Sequence, residues 1–226
     1  MVDHFFSGLL PQHCALCGGG AQELPLCSGC RDDLPWNRCA CPGCGLPQAQ
    51  PAACADCAGK PPPFDSAWCA LCFGGPVQRQ VHALKYHAGF LHARVLGGLM
   101  ARELIARAAP WPQLIIPVPL HRARLLRRGY NQARELAREI SRGTGIATDA
   151  RAAMRVRPTQ DQIGMSAPQR RRNIQGAFAI RRDLTGLHVA LLDDVMTTGA
   201  TLGELARVCR KAGASRIEAW AAARVE

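Results

Sequence analysis

The sequence predicts an α/β fold: a parallel sheet flanked by helices, preceded by a small Cys-rich domain. Three observations carry this. Eight of the 12 cysteines fall into two copies of one spacing within the first 60 residues. Beyond them, short apolar runs alternate with amphipathic stretches, the pattern of strands joined by crossover helices. One such run, "HVALLDDVMTTGATLGELARVC" from His188 to Cys209, ends in two carboxylates and enters a Thr-rich turn that opens a helix.

The repeat comes first along the chain. "CALCGGGAQELPLCSGC" sets Cys14, Cys17, Cys27 and Cys30 as C-x2-C-x9-C-x2-C, and "CPGCGLPQAQPAACADC" sets Cys41, Cys44, Cys54 and Cys57 with the same spacing, 27 residues on. Each C-x2-C offers two thiolates to one ion. Four thiolates saturate tetrahedral Zn²⁺ and leave no open position, which is the structural kind of site. Segments this short and rich in Gly and Pro bury too little apolar area to fold unaided. Bound zinc supplies about 10–16 kcal/mol to such units. Two structural Zn²⁺ sites are therefore expected, with pairing within each repeat or across the two left open. Four disulfides are the alternative, and they conflict with an intracellular chain. Of the other cysteines, Cys39 reads as a spare thiol, and Cys69, Cys72 and Cys209 read as core. His82, His87 and His92 are scattered and are not read as metal ligands.

"GKPPPF", Gly59 to Phe64, is a Pro-rich break, so the expected domains are 1–60 and 61–226. After it, "AWCALCFGG" reads as a strand. Residues 76 to about 108 read as mainly helical, with a break near Gly89. "LIIPVPL", Leu114 to Leu120, reads as a buried strand limited by its prolines. "YNQARELAREISRG" reads as a helix, with Ala133, Leu136, Ala137 and Ile140 on one face and Arg134, Arg138 and Arg142 on another. "VRPTQDQIGMSAPQRRRN" has no sustained period and reads as a long loop entering a short helix. Strands near Ala177–Ile180, at Val189–Leu192 and at Arg216–Ala223, with a helix over Thr201–Ala212, complete the pattern.

At 48% hydrophobic residues in 226, the chain holds a real core and is not wholly disordered. No apolar run approaches the roughly 18 residues of a membrane span, so no membrane partner is expected. The start, "MVDHFFSGLLPQHC", lacks the basic and apolar regions of a signal peptide, so the reading is cytoplasmic. The net charge is +11, and the window from His121 to Arg182, with 15 Arg against 4 acids, carries all of it. Arg suits forked binding of phosphate oxygens, so a polyanionic partner is implied: a phosphorylated substrate, nucleic acid or both.

Asp193 and Asp194 fall where ligands bind in such sheets, beyond the carboxyl ends of the strands. The turn after them opens a helix whose first N–H groups sit at the positive end of the dipole, a natural seat for phosphate. Thr197, Thr198 and Thr201 add hydroxyls, and Gly199 lets the backbone approach closely or take φ > 0. Carboxylates repel phosphate but accept hydrogen bonds from a vicinal diol. Diol and phosphate together describe a ribose 5-phosphate. A Walker-B magnesium site is the competing reading, but G-x-x-x-x-G-K-[ST] is absent from the chain. Simple helix capping accounts for one acid or one Thr, not the set.

"LLDDVMTTGATL" resembles the signature of type I phosphoribosyltransferases, which bind phosphoribosyl pyrophosphate (PRPP). The rest is similar to one branch, the ComF competence-protein family, in which a double zinc ribbon precedes a phosphoribosyltransferase domain. "PVPLHRARLLRRGYNQA", "RPTQDQIGMSAPQRRRNIQGAF" and "HALKYH" carry that resemblance over nearly the whole chain, with Tyr130 in a Phe place and Met165 in a Leu place. The resemblance implies a type I phosphoribosyltransferase-like sheet and roles for matching positions. Asp193 and Asp194 would hold the ribose 2′ and 3′ hydroxyls. Thr197, Thr198, Gly199, Ala200 and Thr201 would cradle the 5′-phosphate. His121, Arg122 and Arg124 would face pyrophosphate and its Mg²⁺. Arg128 and Arg170 would lie over the site or, with Arg127, Arg171 and Arg172, contact nucleic acid, a solvated surface being the plain alternative. Tyr130 reads as core rather than as a stacking platform. The family also implies natural transformation, with single-stranded DNA and a helicase as partners. Transfer of the phosphoribosyl group and non-catalytic binding both stay open.

Overall fold

The apolar run ahead of the acid pair is a strand with Val189, Ala190, Leu191 and Leu192 fully buried, and the sheet is assembled around it. The computed structural model describes residues 12–86, 89–107, 110–159 and 164–226; His87, Asp161 and the first 11 residues lie outside this set. The N-terminal part gives β1 (Gln12–His13), β2 (Gly20–Ala21), α1 (Ser28–Asp32) and α2 (Ala55–Gly59). The rest gives β3 (Ser66–Cys72), α3 (Gly75–Tyr86), α4 (Phe90–Ile105), β4 (Leu114–Pro117), α5 (Arg122–Arg128), α6 (Gln132–Thr144), β5 (Ala147–Thr148), β6 (Ala153–Arg155), α7 (Ala167–Ile174), β7 (Phe178–Ile180), β8 (His188–Met196), α8 (Ala200–Lys211) and β9 (Arg216–Arg224).

Five strands form one sheet in the order β3-β9-β8-β4-β5, every pair parallel. All five carboxyl ends therefore open on one side. Alternation along β8 splits its side chains between two cores. Ala190 and Leu192 join Trp220, Leu84, Leu96, Leu99 and Leu136 on the face covered by α3, α4 and α6. Val189 and Leu191 join Ile116, Leu202, Leu205 and Ile217 on the face covered by α8 and by β6 and β7. Fully buried Leu and Ile side chains contribute about 1.5–3 kcal/mol each. Burial on both faces is what a parallel sheet requires. Helices α4 and α6 pack closely because Gly97 lacks a side chain: a Cβ there would lie 2.5 Å from Glu139 Cβ.

Three elements differ from their sequence expectation. β8 runs through the acids to Met196, because β9 pairs with it that far, Asp193 opposite Ala221 and Met196 opposite Arg224. The strand expected from Leu114 stops at Pro117, and Pro119 just beyond it has no N–H to offer a ladder. The strand near Ala177 pairs antiparallel with β6 and stands apart from the parallel sheet.

The Cys-rich part is packed onto the sheet. The segment between its repeats covers the free edge of β3: Asn37 N–H donates to Ala70 O, Cys72 N–H to Pro35 O and Ala67 N–H to Pro42 O, all at 3.0 Å or less. An open edge strand invites pairing with another chain, and this segment closes it. Cys14, Leu26 and Leu34 enter the core beneath α3 and α4. Cys69 and Cys209 are buried in the opposite core, as their positions predict, whereas Cys72 is only half buried.

Candidate functional site

Adjacent residues of a strand face opposite ways, so the two acids straddle the sheet. Asp194 points to the α3 side, where its Oδ2 lies 2.7 Å from Lys85 Nζ. Asp193 accepts the Asp194 N–H on Oδ1 at 2.9 Å and faces the side of β6. Their protonation diverges accordingly. Burial and then the neighbouring Asp194 charge hold the Asp193 carboxyl well above the usual carboxylate range. Burial, the largest single influence, opposes ionisation of Asp194 too, but Lys85 and the hydrogen bond with Asp193 together keep that carboxyl below its ordinary value. Lys85, in turn, is held above its ordinary value by Asp194 against its own burial. Lys85 is set by the end of α3, whose Leu84 carbonyl accepts the Tyr130 hydroxyl. Tyr130 is thus a half-buried structural residue.

The turn follows directly. Gly199 takes φ +70° as the residue preceding α8, a conformation that favours glycine. Thr197 Oγ1 accepts from Arg170 Nη1 at 2.6 Å, which ties α7 to the turn. The Thr197 carbonyl accepts from Arg224 Nη1 at 2.5 Å. Thr198 Oγ1 accepts the Ala200 N–H at 3.4 Å, a weak cap.

Acids and turn line one cavity of about 320 Å³, together with Lys85, Arg124, Arg128, Arg155 and Arg170. Five cations face two carboxylates there. Arg155 shows the strain of this crowding: burial first, then Arg124, push its guanidinium down to about 10, while Asp193 pulls the other way. It lies over the Phe178 ring at 5.5 Å. A cavity with surplus half-buried cations is electrostatically matched to an anion.

The sequence-derived candidates divide. Asp193, Asp194, Thr197, Gly199, Ala200, Thr201, Arg124, Arg128 and Arg170 meet in this cavity. Thr198 and Arg171 line a larger neighbouring cleft of about 860 Å³ between the second cysteine repeat, α7 and α8. His121 caps α5, its Nδ1 accepting the Ala123 N–H at 3.3 Å, and Arg122 is exposed; neither lines either cavity. Arg127 and Arg172 are exposed. Arg128 donates to Gln132 Oε1 at 2.7 Å and lies over the Tyr86 ring. Three residues of the site escape the sequence reading. Lys85 lies in "HALKYH", which carries a resemblance but no role. Arg155 is one Arg among 15 in its window. Arg224 follows an Ala run and reads as the end of a strand.

The cysteines resolve into two sets. The ligand atoms of Cys14, Cys17, Cys27 and Cys30 all lie within 4.8 Å of one another, and so do those of Cys41, Cys44, Cys54 and Cys57. Pairing is therefore within each repeat. Cys17 Sγ and Cys27 Sγ are 3.7 Å apart, as are Cys44 Sγ and Cys54 Sγ. A tetrahedron with Zn–S of about 2.3 Å has edges of about 3.8 Å, so the residues fit the ion. Main-chain N–H groups converge on the sulfurs: Gly19 on Cys17 at 3.4 Å, Cys30 on Cys27 at 3.4 Å and Cys54 on Cys41 at 3.3 Å. Burial opposes the thiolates of Cys14 and Cys41, yet such main-chain bonds bring both down to about 6. These are two zinc-binding sites, each built from four cysteines.

Comparison with known proteins agrees. Residues 5–58 match the family described as double zinc ribbon domain. The DNA utilization protein YhgH of Salmonella typhimurium is 36% identical over 223 residues, 93% of this chain and 96% of that one. Competence protein F of Haemophilus influenzae is 34% identical over 226 residues, with the same 93% and 96% coverage. Among solved structures, the glutamine PRPP amidotransferase from B. subtilis overlaps 58% of this chain and 26% of its own, at 18% identity and a TM-score of 0.40. At that score the fold rests on the parallel sheet itself. At the identity and coverage of the two curated relatives, the chain belongs to the family of competence protein F and DNA utilization protein YhgH.

Proposed function

We propose that the chain binds PRPP with Mg²⁺ in the cavity at the carboxyl end of β8, and that it does so in the cytoplasm in the service of DNA uptake and utilization, as the names of its relatives suggest. One observation carries the reading: the acid pair, the Thr turn at the start of α8 and four arginines line the same cavity. Asp193 and Asp194 accept the ribose hydroxyls. The turn from Thr197 to Thr201 takes the 5′-phosphate. Arg124, Arg155 and Lys85 face the pyrophosphate. Mg²⁺, when bound with the ligand, supplies charge neutralisation on the pyrophosphate oxygens.

In a transfer reaction the bond from ribose C1 to pyrophosphate breaks, the pyrophosphate leaves with the electron pair, and a nucleophile bonds to C1. Carboxylates beneath the ring favour positive charge developing there. Calorimetry with PRPP and Mg²⁺ tests binding, with the D193N/D194N double variant as the comparison: loss of the heat in the variant is expected, and no heat with either protein refutes the reading. A panel of bases with PRPP then tests transfer through pyrophosphate release; no release with any acceptor leaves a PRPP-binding protein without turnover.

The alternative is a non-catalytic binder of single-stranded DNA, with a helicase as its partner. Exposed Arg127, Arg171 and Arg172, outside the first cavity, favour it. Affinity falling steeply with salt would support it, and binding indifferent to salt would exclude it.

A further inference from the structure

Arg224 ends β9 and is 7% exposed. Its Nε donates to the Cys44 carbonyl at 3.0 Å. Its Nη1 donates to the carbonyls of Thr197 at 2.5 Å and Met196 at 3.4 Å. Among the described residues no carboxylate pairs with it. A guanidinium held only by main-chain carbonyls acts as a rigid planar fork between the segments that carry them. Cys44 closes the C-P-G-C segment of the second zinc site, and Thr197 opens the Thr turn. One side chain therefore spans from a metal-held segment to the proposed phosphate seat.

The metal-held end is fixed. A Cβ on Gly45 would lie 3.1 Å from Cys69 Sγ, and Pro42 O accepts the Ala67 N–H at 2.9 Å, so the segment sits on β3. The first zinc site is tied elsewhere: Ala15 O accepts Gln80 Nε2 at 3.5 Å, and Leu24 packs where a side chain on Gly98 would stand. The two sites share a spacing but not a neighbourhood.

We infer that Arg224 is a positioning residue through which the metal state of the second zinc site sets the shape, and hence the anion affinity, of the Thr197–Thr201 turn. The inference rests on that turn being the phosphate seat proposed above. When zinc leaves, the Cys44 carbonyl keeps its β3 neighbours but loses its metal anchor, so the fork's acceptor shifts and the Thr197 carbonyl is held less firmly. Coupling of binding free energies is reciprocal. An occupied turn therefore tightens zinc binding at the second site and not at the first.

The test uses the full-length zinc-loaded protein and ribose 5-phosphate. Zinc is drawn off with a coloured chelator, and alkylation of the freed thiols with peptide mapping assigns each phase to its cysteines. At equilibrium, saturating ribose 5-phosphate should raise the chelator concentration that strips Cys41, Cys44, Cys54 and Cys57 by about 5- to 150-fold and leave the other set unchanged. R224K and R224M should bind ribose 5-phosphate about tenfold more weakly, the low end of a coupling this size, and lose the ligand effect on zinc. A purely structural Arg224 would instead weaken zinc at both sites in the variants and leave the ligand effect in place, which overturns the inference. So does a wild-type protein that binds ribose 5-phosphate while both phases ignore it, a result needing no variant. If the wild-type protein binds no ribose 5-phosphate, the phosphate seat falls and the coupling with it.

Discussion

Lys85 Nζ lies 2.7 Å from Asp194 Oδ2, and this pair joins the end of α3 to the strand that carries both acids. The two residues are 109 positions apart, and only the packing of α3 against the sheet brings them together. The ion pair splits the protonation of the adjacent acids, so one site presents a charged carboxylate beside one that resists ionisation.

Lys85→Met should uncouple this arrangement. Removing one partner of a buried pair leaves the other charge unpaired, typically at about 3–5 kcal/mol. Here Asp194 is 6% exposed and Lys85 27%, so the lower end of that range is expected at neutral pH. Asp194 is held below its ordinary value, so the pair's contribution is fully present above the unfolded value of about 3.9 and is lost only as pH falls through the lower folded value, where the stability loss should shrink. Chemical denaturation at pH 7.5 and at about pH 3 checks both points, and an equal loss at the two pH values would contradict the ion-pair account.

Asp193 predicts the opposite sign. Its folded-state pKa is raised, so its contribution to stability is fully present below the unfolded value of about 3.9 and is lost as pH rises through the folded value. Asp193→Asn removes the ionisation. The variant should melt higher than the wild-type protein at pH 7, and its stability should fall less as pH rises from 4 to 7. Its PRPP affinity should drop, since an amide stands where the carboxyl group faces the diol. Thermal melts across that range check it. A lower melting temperature at pH 7 would refute the raised pKa.

These predictions draw on residues of uneven visibility in the sequence. The cysteine repeat and the Asp-Asp-x-x-Thr-Thr-Gly run lie within single short segments, so spacing alone exposes them. Strand order β3-β9-β8-β4-β5 and the convergence of Lys85, Arg155 and Arg224 on one strand end depend on contacts between distant segments. Nothing local marks Arg155 from the 14 other arginines of its window. Its distinction is burial among Arg124 and Asp193. Likewise, His121 and Arg124 look equivalent as site candidates in "PLHRAR". The helix they begin sends Arg124 into the cavity and leaves His121 as its cap.

Zinc content should be two per chain, and its removal should cost the whole fold. The first set contributes Cys14 to the main core beside Leu84 and Leu96, so losing its ion disturbs more than the ribbon. Cys27→Ser should leave one zinc and lower the melting temperature by at least about 20 °C, taking the lower end of the about 10–16 kcal/mol that zinc supplies and about 2–4 °C per kcal/mol for a chain of this size. Elemental analysis with calorimetric melting checks this. One zinc with an unchanged melt would show that the ribbon is independent of the core.

Arg170 offers the sharpest separation of position from charge. Its Nη1 donates to Thr197 Oγ1 at 2.6 Å and its Nε to the Met165 carbonyl at 3.0 Å, so it braces the turn against α7. Arg170→Lys keeps the charge but cannot hold both acceptors with one planar fork. Thr197→Val removes only the acceptor. If bracing matters, both variants should weaken PRPP by a similar factor, about 10- to 150-fold for the loss of one charge-assisted hydrogen bond, and the double variant should do little more than either alone. If Arg170 acts only through its charge, Arg170→Lys should bind PRPP like the wild-type protein while Thr197→Val is impaired. A double-mutant cycle read by calorimetry distinguishes the two, and additive losses would place Arg170 outside the bracing role.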